Sequence, residues 1–180
     1  YKRYRRDVID GLEAIPPSLS FIVVAGRTGS RKTDILTSLD AKGAQVLDLE
    51  GIASHRGSLL GHIKAAPQPS QRLFESQLNL KLQSFDPTQP VYVESESSKI
   101  GNVQLPSSLW KQISNAPQIA VSAPREDRAD YLLSVYRHLT EDVTDLNKLV
   151  SGMTHRYGRE RTGIWQKLID AEDWHNLAVE

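Results

Sequence analysis

A stretch rich in glycine and hydroxyl residues near the start of the chain has the composition of a phosphate-binding loop. It lies between an apolar run and an amphipathic one, and it ends in the pair Lys32-Thr33. Consecutive backbone N–H groups in such a turn bind anions, and the dipole of the following helix strengthens the attraction. Lys32 would reach the outer phosphates, and the Thr33 hydroxyl would meet Mg²⁺ if that ion is bound. The predicted phosphate-binding residues are Gly26, Thr28, Gly29, Ser30, Arg31, Lys32 and Thr33.

Arg31 stands where the P-loop pattern has glycine, immediately before the lysine. Its side chain could crowd the approach of a phosphate to the backbone, or it could contribute another cation. A degenerate, inactive loop is the alternative. Because Lys32 and the helix terminus are present in each case, we expect anion binding. Efficient nucleotide hydrolysis does not follow, and whether a nucleotide binds stays open.

Two pairs of acidic residues follow the second and third predicted strands. Asp48 and Glu50 form the first pair, and Glu94 and Glu96 form the second. Ligands of open α/β sheets bind at the carboxyl ends of the strands. In P-loop proteins a carboxylate in this place holds the metal or orients a water. Either Glu94 or Glu96 could serve, and a solvated loop acid is the alternative for each.

One predicted loop and the start of one predicted helix carry basic residues that could contact phosphates. His55, Arg56, Gly57 and Ser58 lie in a long polar loop predicted over 50–68, and their composition suits an anion or nucleotide contact. Loops of this length inside a compact domain are usually functional or mobile. Arg125, with Arg128 behind it, opens the helix after the fourth strand, where kinase-like P-loop proteins carry a lid arginine. We therefore predict that Arg125 faces the phosphates.

Two further basic segments include an aromatic residue, which is the composition of an RNA-backbone contact. One runs from Lys2 to Arg6, and the other surrounds Tyr157. A solvated helix junction explains either segment equally well. The predicted RNA-contacting residues are Arg3, Arg5, Arg6, Arg156, Arg159 and Arg161.

Predicted strands and helices alternate along the chain, and these elements must position the candidate residues. Short apolar runs predict parallel strands at 21–25, 46–49, 91–94 and 119–121. Predicted helices cover 1–14, the segment through Leu36 that stops at Gly43, a segment opened by Pro69, another opened by Pro106, about 124–138, and two more around Val143–Val150 and Ile164–Ile169. The pattern indicates an α/β fold, with a P-loop NTPase-like, mostly parallel sheet flanked by helices and a helical C-terminal part. We predict a linker helix over 1–16, a P-loop domain over 17–140 and a helical extension over 141–180.

Composition narrows the function classes. The 180 residues have a formal net charge of zero, so any nucleic-acid contact must be a local patch. The absence of cysteine excludes disulfides, cysteine-ligated zinc and thiolate catalysis within these residues. No apolar run approaches the roughly 20 residues of a membrane span, and we expect a cytoplasmic protein without a membrane partner. Since residue 1 is not methionine, we also expect the chain to begin partway through a longer protein.

Several short stretches resemble the tRNA 2-selenouridine synthase family. They are residues 44–51, 55–58, 67–71 with 74–75, 93–97, 99–101 and 103–106, within a likeness that covers about residues 1–138. The N-terminal run resembles the family's junction between a rhodanese-like domain and a P-loop domain. The resemblance adds residues to the candidate substrate loops, which then comprise Asp48, Glu50, His55, Arg56, Gly57, Ser58, Gln68, Ser70, Ser97 and Lys99.

The resemblance implies a transferase that acts on the wobble uridine of certain tRNAs. The family exchanges the 2-thio sulfur for selenium from selenophosphate, and it can attach a geranyl group from geranyl diphosphate to that sulfur on the way. Its selenium-handling cysteine belongs to the rhodanese-like domain, so we expect that domain upstream in the full-length protein. This part would bind the tRNA anticodon arm and the phosphate-bearing co-substrate. Its catalytic residues would be Lys32, Glu94, Glu96 and Arg125.

Two other functions fit the same residues. One is a P-loop small-molecule kinase, which shares the sheet, the phosphate loop and the lid arginine. The other is a non-catalytic P-loop module that only presents tRNA to another domain. ATP consumption with a phosphorylated small product would identify the kinase. Binding of tRNA without binding of geranyl diphosphate would identify the module.

Overall fold

The computed structural model describes residues 2–55 and 67–180. Contacts within the chain divide it into two compact units. The first comprises residues up to 26 together with 32–121, and the second comprises 27–31 together with 122–180. Most of the predicted phosphate loop therefore groups with the C-terminal residues, and the boundary predicted at 140 lies inside the second unit.

The first unit is built on a parallel sheet. The described elements of this unit are, in chain order, α1 (Lys2–Ala14), a 3₁₀ turn (Pro16–Ser18), β1 (Ser20–Ala25), α2 (Lys32–Ala41), β2 (Gln45–Leu47), α3 (Leu49–Ala53), α4 (Gln71–Gln83), β3 (Pro90–Glu94), β4 (Lys99–Ile100), β5 (Val103–Gln104), α5 (Ser107–Ser114) and β6 (Gln118–Ala120). Four of these strands form the sheet in the order β2-β3-β1-β6, and every neighbouring pair is parallel, which confirms the predicted α/β class.

Both faces of the sheet are covered. Successive residues of a strand point to opposite faces, so neighbouring residues of β1 belong to different cores. On one face, Val23 of β1 belongs to a core that includes Phe74 of α4 and Leu109 of α5. On the other face, the neighbouring Val24 packs with Leu36 of α2. Burial of each such side chain contributes about 1.5–3 kcal/mol. The apolar run that predicted β1 is thus buried on both faces of the sheet.

The second strand ends earlier than predicted, because Asp48 begins a helix. The strand stops at Leu47, and the Asp48 carboxylate accepts a hydrogen bond of 2.7 Å from the Gly51 N–H as the N-cap of α3. The predicted strand at 46–49 is wrong at its end, and the predicted loop at 50–68 is wrong over 50–53. Leu49 and Ala53 are fully buried one helical turn apart, which stabilises this short helix.

The helix predicted to open at Pro69 begins two residues later. Ser70 is its N-cap, and its hydroxyl accepts a hydrogen bond of 3.4 Å from the Leu73 N–H, so Pro69 lies outside the first turn. A small antiparallel hairpin, β4 and β5, was not predicted. Its turn contains Gly101 at φ 57°, a backbone conformation that favours glycine.

The second unit is helical. The single helix predicted over about 124–138 is divided at Tyr136, whose N–H caps the Leu132 carbonyl. The helices predicted around Val143–Val150 and Ile164–Ile169 are confirmed. Helix α11 packs on α6, and α10 packs on α8. The described helices of this unit are α6 (Arg125–Val135), α7 (Arg137–Thr140), α8 (Val143–Gly152), α9 (Thr154–Tyr157), α10 (Arg159–Asp170) and α11 (Trp174–Val179).

Across residues 2–55 and 67–180, we find no helix with both the length and the apolar character that crossing a membrane requires.

Candidate functional site

The predicted phosphate loop occupies the turn between β1 and α2. The Ser30 N–H donates a hydrogen bond of 3.1 Å to the Arg27 carbonyl, which closes the turn. Helix α2 begins at Lys32, whose Nζ donates a hydrogen bond of 2.9 Å to the Gly26 carbonyl. The lysine side chain is thus folded back along the loop.

Gly29 occupies a position that only glycine fits. Its φ is 84°, and a Cβ at this residue would lie 2.7 Å from the Arg128 carbonyl oxygen. The Arg128 Nη1 in turn donates a hydrogen bond of 3.2 Å to the Thr28 carbonyl. The loop backbone is therefore packed directly on α6 within the second unit. Arg128 acts here as a structural contact of the loop.

Arg31 replaces the glycine of the pattern but keeps a backbone suited to glycine. Its φ is 62°, in the left-handed region that non-glycine residues rarely adopt. Its guanidinium carbon lies 4.7 Å from the centre of the Tyr131 ring, a cation–π contact. The positive charge of Arg31 therefore has an aromatic partner on α6.

Three carboxylates meet at the carboxyl edge of the sheet. Glu94 is the last residue of β3, Glu96 follows it, and Glu50 lies in the first turn of α3 after β2. One carboxylate oxygen from each lies within 4.8 Å of those of the other two. The Ser95 N–H donates a hydrogen bond of 3.0 Å to the Val24 carbonyl, which ties the segment after β3 to β1. The acids predicted from strand ends are therefore neighbours in space.

The carboxylate cluster Glu50, Glu94 and Glu96 binds protons more tightly than ordinary glutamates do. Burial, followed by the charges of Glu94 and Glu96, raises the pKa of Glu50 to about 8. Burial, followed by the charges of Glu96 and Asp48, raises the pKa of Glu94 to about 7, against the lowering effect of Lys32. Burial also raises the pKa of Glu96, while a hydrogen bond with Glu50 lowers it.

Glu94 also faces a cavity of about 280 Å³ within the first unit. Its side chain is 2% exposed. The cavity brings the predicted metal-binding Thr33 and the acidic residues Asp48 and Glu94 to one space, next to Lys81. Lys81 was not predicted, because a lysine in the last turn of a helix is ordinary in sequence. Hydroxyl and carboxylate oxygens are the ligands that Mg²⁺ prefers, so the residues present fit that ion.

A second cavity, of about 450 Å³, lies beside the first along α4. Asp48 and Lys81 line both cavities. Its other walls are mostly apolar or uncharged, and they comprise Gly51, Ile52, Ser54, Pro67, Pro69, Leu73 and Gln77.

Several predicted substrate residues have structural contacts. Gln68 donates hydrogen bonds of 3.1 Å to the carbonyls of Ala53 and Ile100, and it accepts one of 2.8 Å from the Asn102 N–H. It thereby joins the end of α3 to the β4–β5 hairpin. Ser70 caps α4, as described above. The Ser97 hydroxyl donates to the carbonyl of Lys99, whose side chain is exposed.

The loop containing the predicted His55–Ser58 contact is described only at its first residue. The His55 N–H donates a hydrogen bond of 3.0 Å to the carbonyl of Glu50, one of the clustered acids. Arg56, Gly57 and Ser58 lie outside the described residues.

The predicted RNA-contacting arginines differ in their surroundings. Arg5 forms an ion pair with Glu75 of α4, whereas Arg3 and Arg6 are exposed. The predicted lid residue Arg125 donates a hydrogen bond of 2.7 Å from Nε to the Val179 carbonyl.

An arginine–aromatic surface lies on α9 and α10, and it consists of Arg156, Tyr157, Arg159, Arg161 and Trp165. The rings of Tyr157 and Trp165 meet edge to face at 5.2 Å. The guanidinium of Arg156 lies 5.6 Å from the Tyr157 ring, and that of Arg161 lies 5.8 Å from the Trp165 ring. Arg159 is exposed beside them.

Comparison with known proteins gives a consistent result. The family model described as the tRNA 2-selenouridine synthase AAA domain matches residues 19–164. A tRNA 2-selenouridine synthase from Marinobacter nauticus is 39% identical over 93% of this chain and 48% of its own length. Those from Alcanivorax borkumensis and Cupriavidus pinatubonensis are 40% and 32% identical, over 76% and 94% of this chain and over 37% and 50% of their own lengths.

The chain thus spans between 37% and 50% of the length of these three relatives. No solved structure matches it. The match of the family model over most of the chain, together with these relatives, shows that the chain belongs to the tRNA 2-selenouridine synthase family.

Proposed function

We propose that this chain binds the phosphate-bearing co-substrate of a tRNA-modifying transferase. The observation that carries the proposal is the loop that places Lys32 and Thr33 at the start of α2, directly after β1, in a chain of this family. In the proposed reaction, selenium from selenophosphate replaces the 2-thio sulfur of the tRNA wobble uridine, by way of an S-geranylated intermediate. Selenophosphate and geranyl diphosphate both carry phosphate, so one loop can serve both.

The proposed geranyl transfer needs charge stabilisation more than it needs nucleotide hydrolysis. The uridine sulfur forms a bond to C1 of geranyl diphosphate, the C1–O bond breaks, and its electron pair leaves with the diphosphate. The uridine N3 proton is released at the same time. Lys32 and the loop N–H groups would stabilise the leaving diphosphate. Arg125 stays a predicted third contributor to this stabilisation.

Mg²⁺ is proposed as an aid to the same step. Thr33 would hold it through its hydroxyl, and the nearby carboxylates would complete its oxygen ligands. When bound, the ion would supply positive charge next to the phosphate oxygens.

The arginine–aromatic surface on α9 and α10 is the proposed contact for tRNA. Exposed arginines bind backbone phosphates, and aromatic rings stack on unpaired bases. Arg156, Arg159 and Arg161 supply the charge, and Tyr157 and Trp165 supply the rings. Because the net charge of the whole chain is zero, such a local surface is needed for an RNA contact. The exposed Arg3 and Arg6 of the first unit are proposed as a separate RNA contact.

Replacement of Lys32 tests the proposal. Lys32→Ala should weaken geranyl diphosphate binding by about 10–100-fold, because a charge-assisted hydrogen bond contributes roughly 1.5–3 kcal/mol. Binding is measured by calorimetry, and geranyl transfer is followed by mass spectrometry of a 2-thiouridine tRNA. Lys42→Ala, just after the end of α2, is the matched control and should behave like the parent. Equal diphosphate affinity in Lys32→Ala and the parent would refute the role of the loop.

A small-molecule kinase is the second candidate, and the cavity shared by Thr33 and Glu94 favours it. A buried carboxylate with a pKa of about 7 can accept a proton from a substrate hydroxyl. ATP turnover with a phosphorylated product, and no tRNA binding, would support this function. A module that only presents tRNA would bind tRNA but neither ATP nor geranyl diphosphate.

A further inference from the structure

We propose that the larger cavity, which lies along α4, binds the hydrocarbon chain of a prenyl diphosphate, an assignment that rests on the phosphate site proposed above. The diphosphate would lie at Lys32 and Thr33, at the start of α2. Thr33 lines the smaller cavity, and the two cavities share Asp48 and Lys81 in their walls. The chain of a ligand held at Thr33 would therefore enter the larger cavity past these two side chains.

The charges of the larger cavity lie at the end that it shares with the smaller one. Among the described residues of its wall, Asp48 and Lys81 are the charged ones, and both also line the smaller cavity. The Asp48 carboxylate accepts the hydrogen bond that caps α3. Lys81 thus provides a cation at the end where the diphosphate would lie, and the rest of the wall is uncharged.

Helix α4 arranges part of this wall in a row. Leu73, Gln77 and Lys81 line the cavity at intervals of four residues, which places them on one face of the helix. A helix rises about 1.5 Å per residue, so the row extends about 12 Å along the axis from the lysine to the leucine. One side of α4 therefore offers a charged end and an apolar end to a single elongated ligand.

Leu73 is an apolar side chain that a hydrocarbon ligand would cover. It is 50% exposed, although it lies in a cavity wall with Ile52, Pro67 and Pro69. Ile52 is itself only partly buried, at the edge of the main core. Removal of such apolar surface from water is favourable. The exposed leucine and its apolar neighbours therefore suit the hydrocarbon part of a ligand and not its phosphates.

The size and the chemistry of the wall favour a short aliphatic chain over a nucleobase. A cavity of about 150 Å³ holds the six carbons of benzene, so ten carbons need roughly 250 Å³ and fifteen need roughly 375 Å³. Both lengths fit the volume of about 450 Å³, whereas a twenty-carbon chain at roughly 500 Å³ exceeds it. None of the described wall residues is aromatic, so they offer a base no ring on which to stack.

Calorimetric titration of the 180-residue chain with diphosphates of increasing chain length tests the cavity. The ligands are inorganic diphosphate, dimethylallyl diphosphate and geranyl diphosphate. We expect the affinity to rise at least about tenfold from dimethylallyl to geranyl diphosphate, because each additional buried carbon contributes. The heat capacity change of binding should become more negative in the same order, since more apolar surface is buried. ADP is titrated separately as a probe of nucleobase binding.

Leu73→Ser separates recognition of the chain from recognition of the diphosphate. Because half of the Leu73 side chain is exposed, we expect the variant to fold, and its thermal midpoint checks this. It should bind geranyl diphosphate about three- to tenfold more weakly and inorganic diphosphate as the parent does. Leu80→Ser is the matched control, since Leu80 is 60% exposed on the same helix and lines neither cavity. It should bind all ligands as the parent does.

The outcomes distinguish the cavity from the phosphate site. If the parent binds inorganic and geranyl diphosphate equally well, the cavity assignment is overturned and the phosphate site stands. Equal losses of geranyl diphosphate affinity in Leu73→Ser and Leu80→Ser also overturn it, as does a loss of ADP affinity in Leu73→Ser, which would place a nucleobase in the cavity. If the parent binds no diphosphate, both proposals fail. The chain-length series uses the parent alone, so it decides the question even if Leu73→Ser does not fold.

Discussion

Glu94, the last residue of β3, lines the same cavity as Thr33, the second residue of α2. This cavity thus brings the acidic end of β3 next to α2, the helix that follows β1. It arises because β1 and β3 are parallel neighbours, so the segments after both strands emerge at one edge of the sheet.

Replacement of Gly29 should distort the phosphate loop. Gly29→Ala places a Cβ 2.7 Å from the Arg128 carbonyl at a φ of 84°, so we expect a loss of stability of about 1–3 kcal/mol. Thermal or urea unfolding measures this loss. Gly163→Ala is the matched control, because a Cβ there meets no atom within 4 Å and lies inside α10. It should leave stability unchanged or raise it by up to about 1 kcal/mol. Equal losses in the two variants would show that Gly29 is not constrained.

At residue 31, a glycine variant should be more stable than an alanine variant, which is the reverse of the usual order. Both Arg31→Ala and Arg31→Gly remove the contact with Tyr131, but only glycine relieves the backbone at φ 62°. We expect Arg31→Gly to be more stable than Arg31→Ala by about 1 kcal/mol. Urea unfolding of the pair measures the difference. A more stable alanine variant would mean that the left-handed backbone at residue 31 is not retained.

The stability of the apo protein should fall as the pH rises from about 5 to 8. The pKa values of Glu50 and Glu94, about 8 and about 7, lie above the 4.5 of an ordinary glutamate. The folded state therefore binds more protons than the unfolded state in this range, and its stabilisation is lost as the pH passes the folded pKa values. At pH 8 the free energy of unfolding of Glu94→Gln should exceed that of the parent by about 1–3 kcal/mol.

The same comparison at pH 4.5 should show a much smaller difference, because Glu94 is then protonated in the folded parent. Unfolding is measured with EDTA present at both pH values. Glu13→Gln, with its exposed side chain, should follow the parent throughout. Parallel pH profiles of the parent and Glu94→Gln would contradict the raised pKa.

Loss of charge from the arginine–aromatic surface should weaken tRNA binding. Removal of one phosphate contact reduces the slope of log affinity against log salt by about one, so Arg156→Gln with Arg161→Gln should reduce it by about two. The slope is measured by fluorescence anisotropy at several salt concentrations. Lys148→Gln, an exposed cation on α8, is the control. An equal reduction with the control would mean that only net charge matters.

The sheet was predictable because its strands are short apolar runs with marked ends. Phe21–Ala25 and Val91–Val93 are flanked by glycine, proline or acidic residues, which mark their ends. The proximity of Glu50, Glu94 and Glu96 followed from the rule that parallel strands end at one edge. The strand ending at Leu47 was overextended, because the apolar Leu49 fits a strand as well as it fits the helix that Asp48 caps.

Other features depend on contacts between distant residues. Gln68 was predicted to contact substrate, and its contacts with Ala53 and Ile100 depend on how a loop crosses a hairpin that local sequence did not indicate. Lys81 lines the cavity through the packing of α4, which local sequence does not indicate. The partner of Arg31 could not be predicted either, since Tyr131 follows a hundred residues later on a helix whose orientation the sequence leaves open.

The contact between Thr28 and Arg128 sets an order of events during translation. The two residues are 100 positions apart, so the ribosome completes β1 and α2 long before it makes the helix that holds the loop between them. At the usual rate of about 5–20 residues per second, a nascent chain waits several seconds for α6. During that interval the loop residues Thr28 and Arg31 lack their contacts with Arg128 and Tyr131.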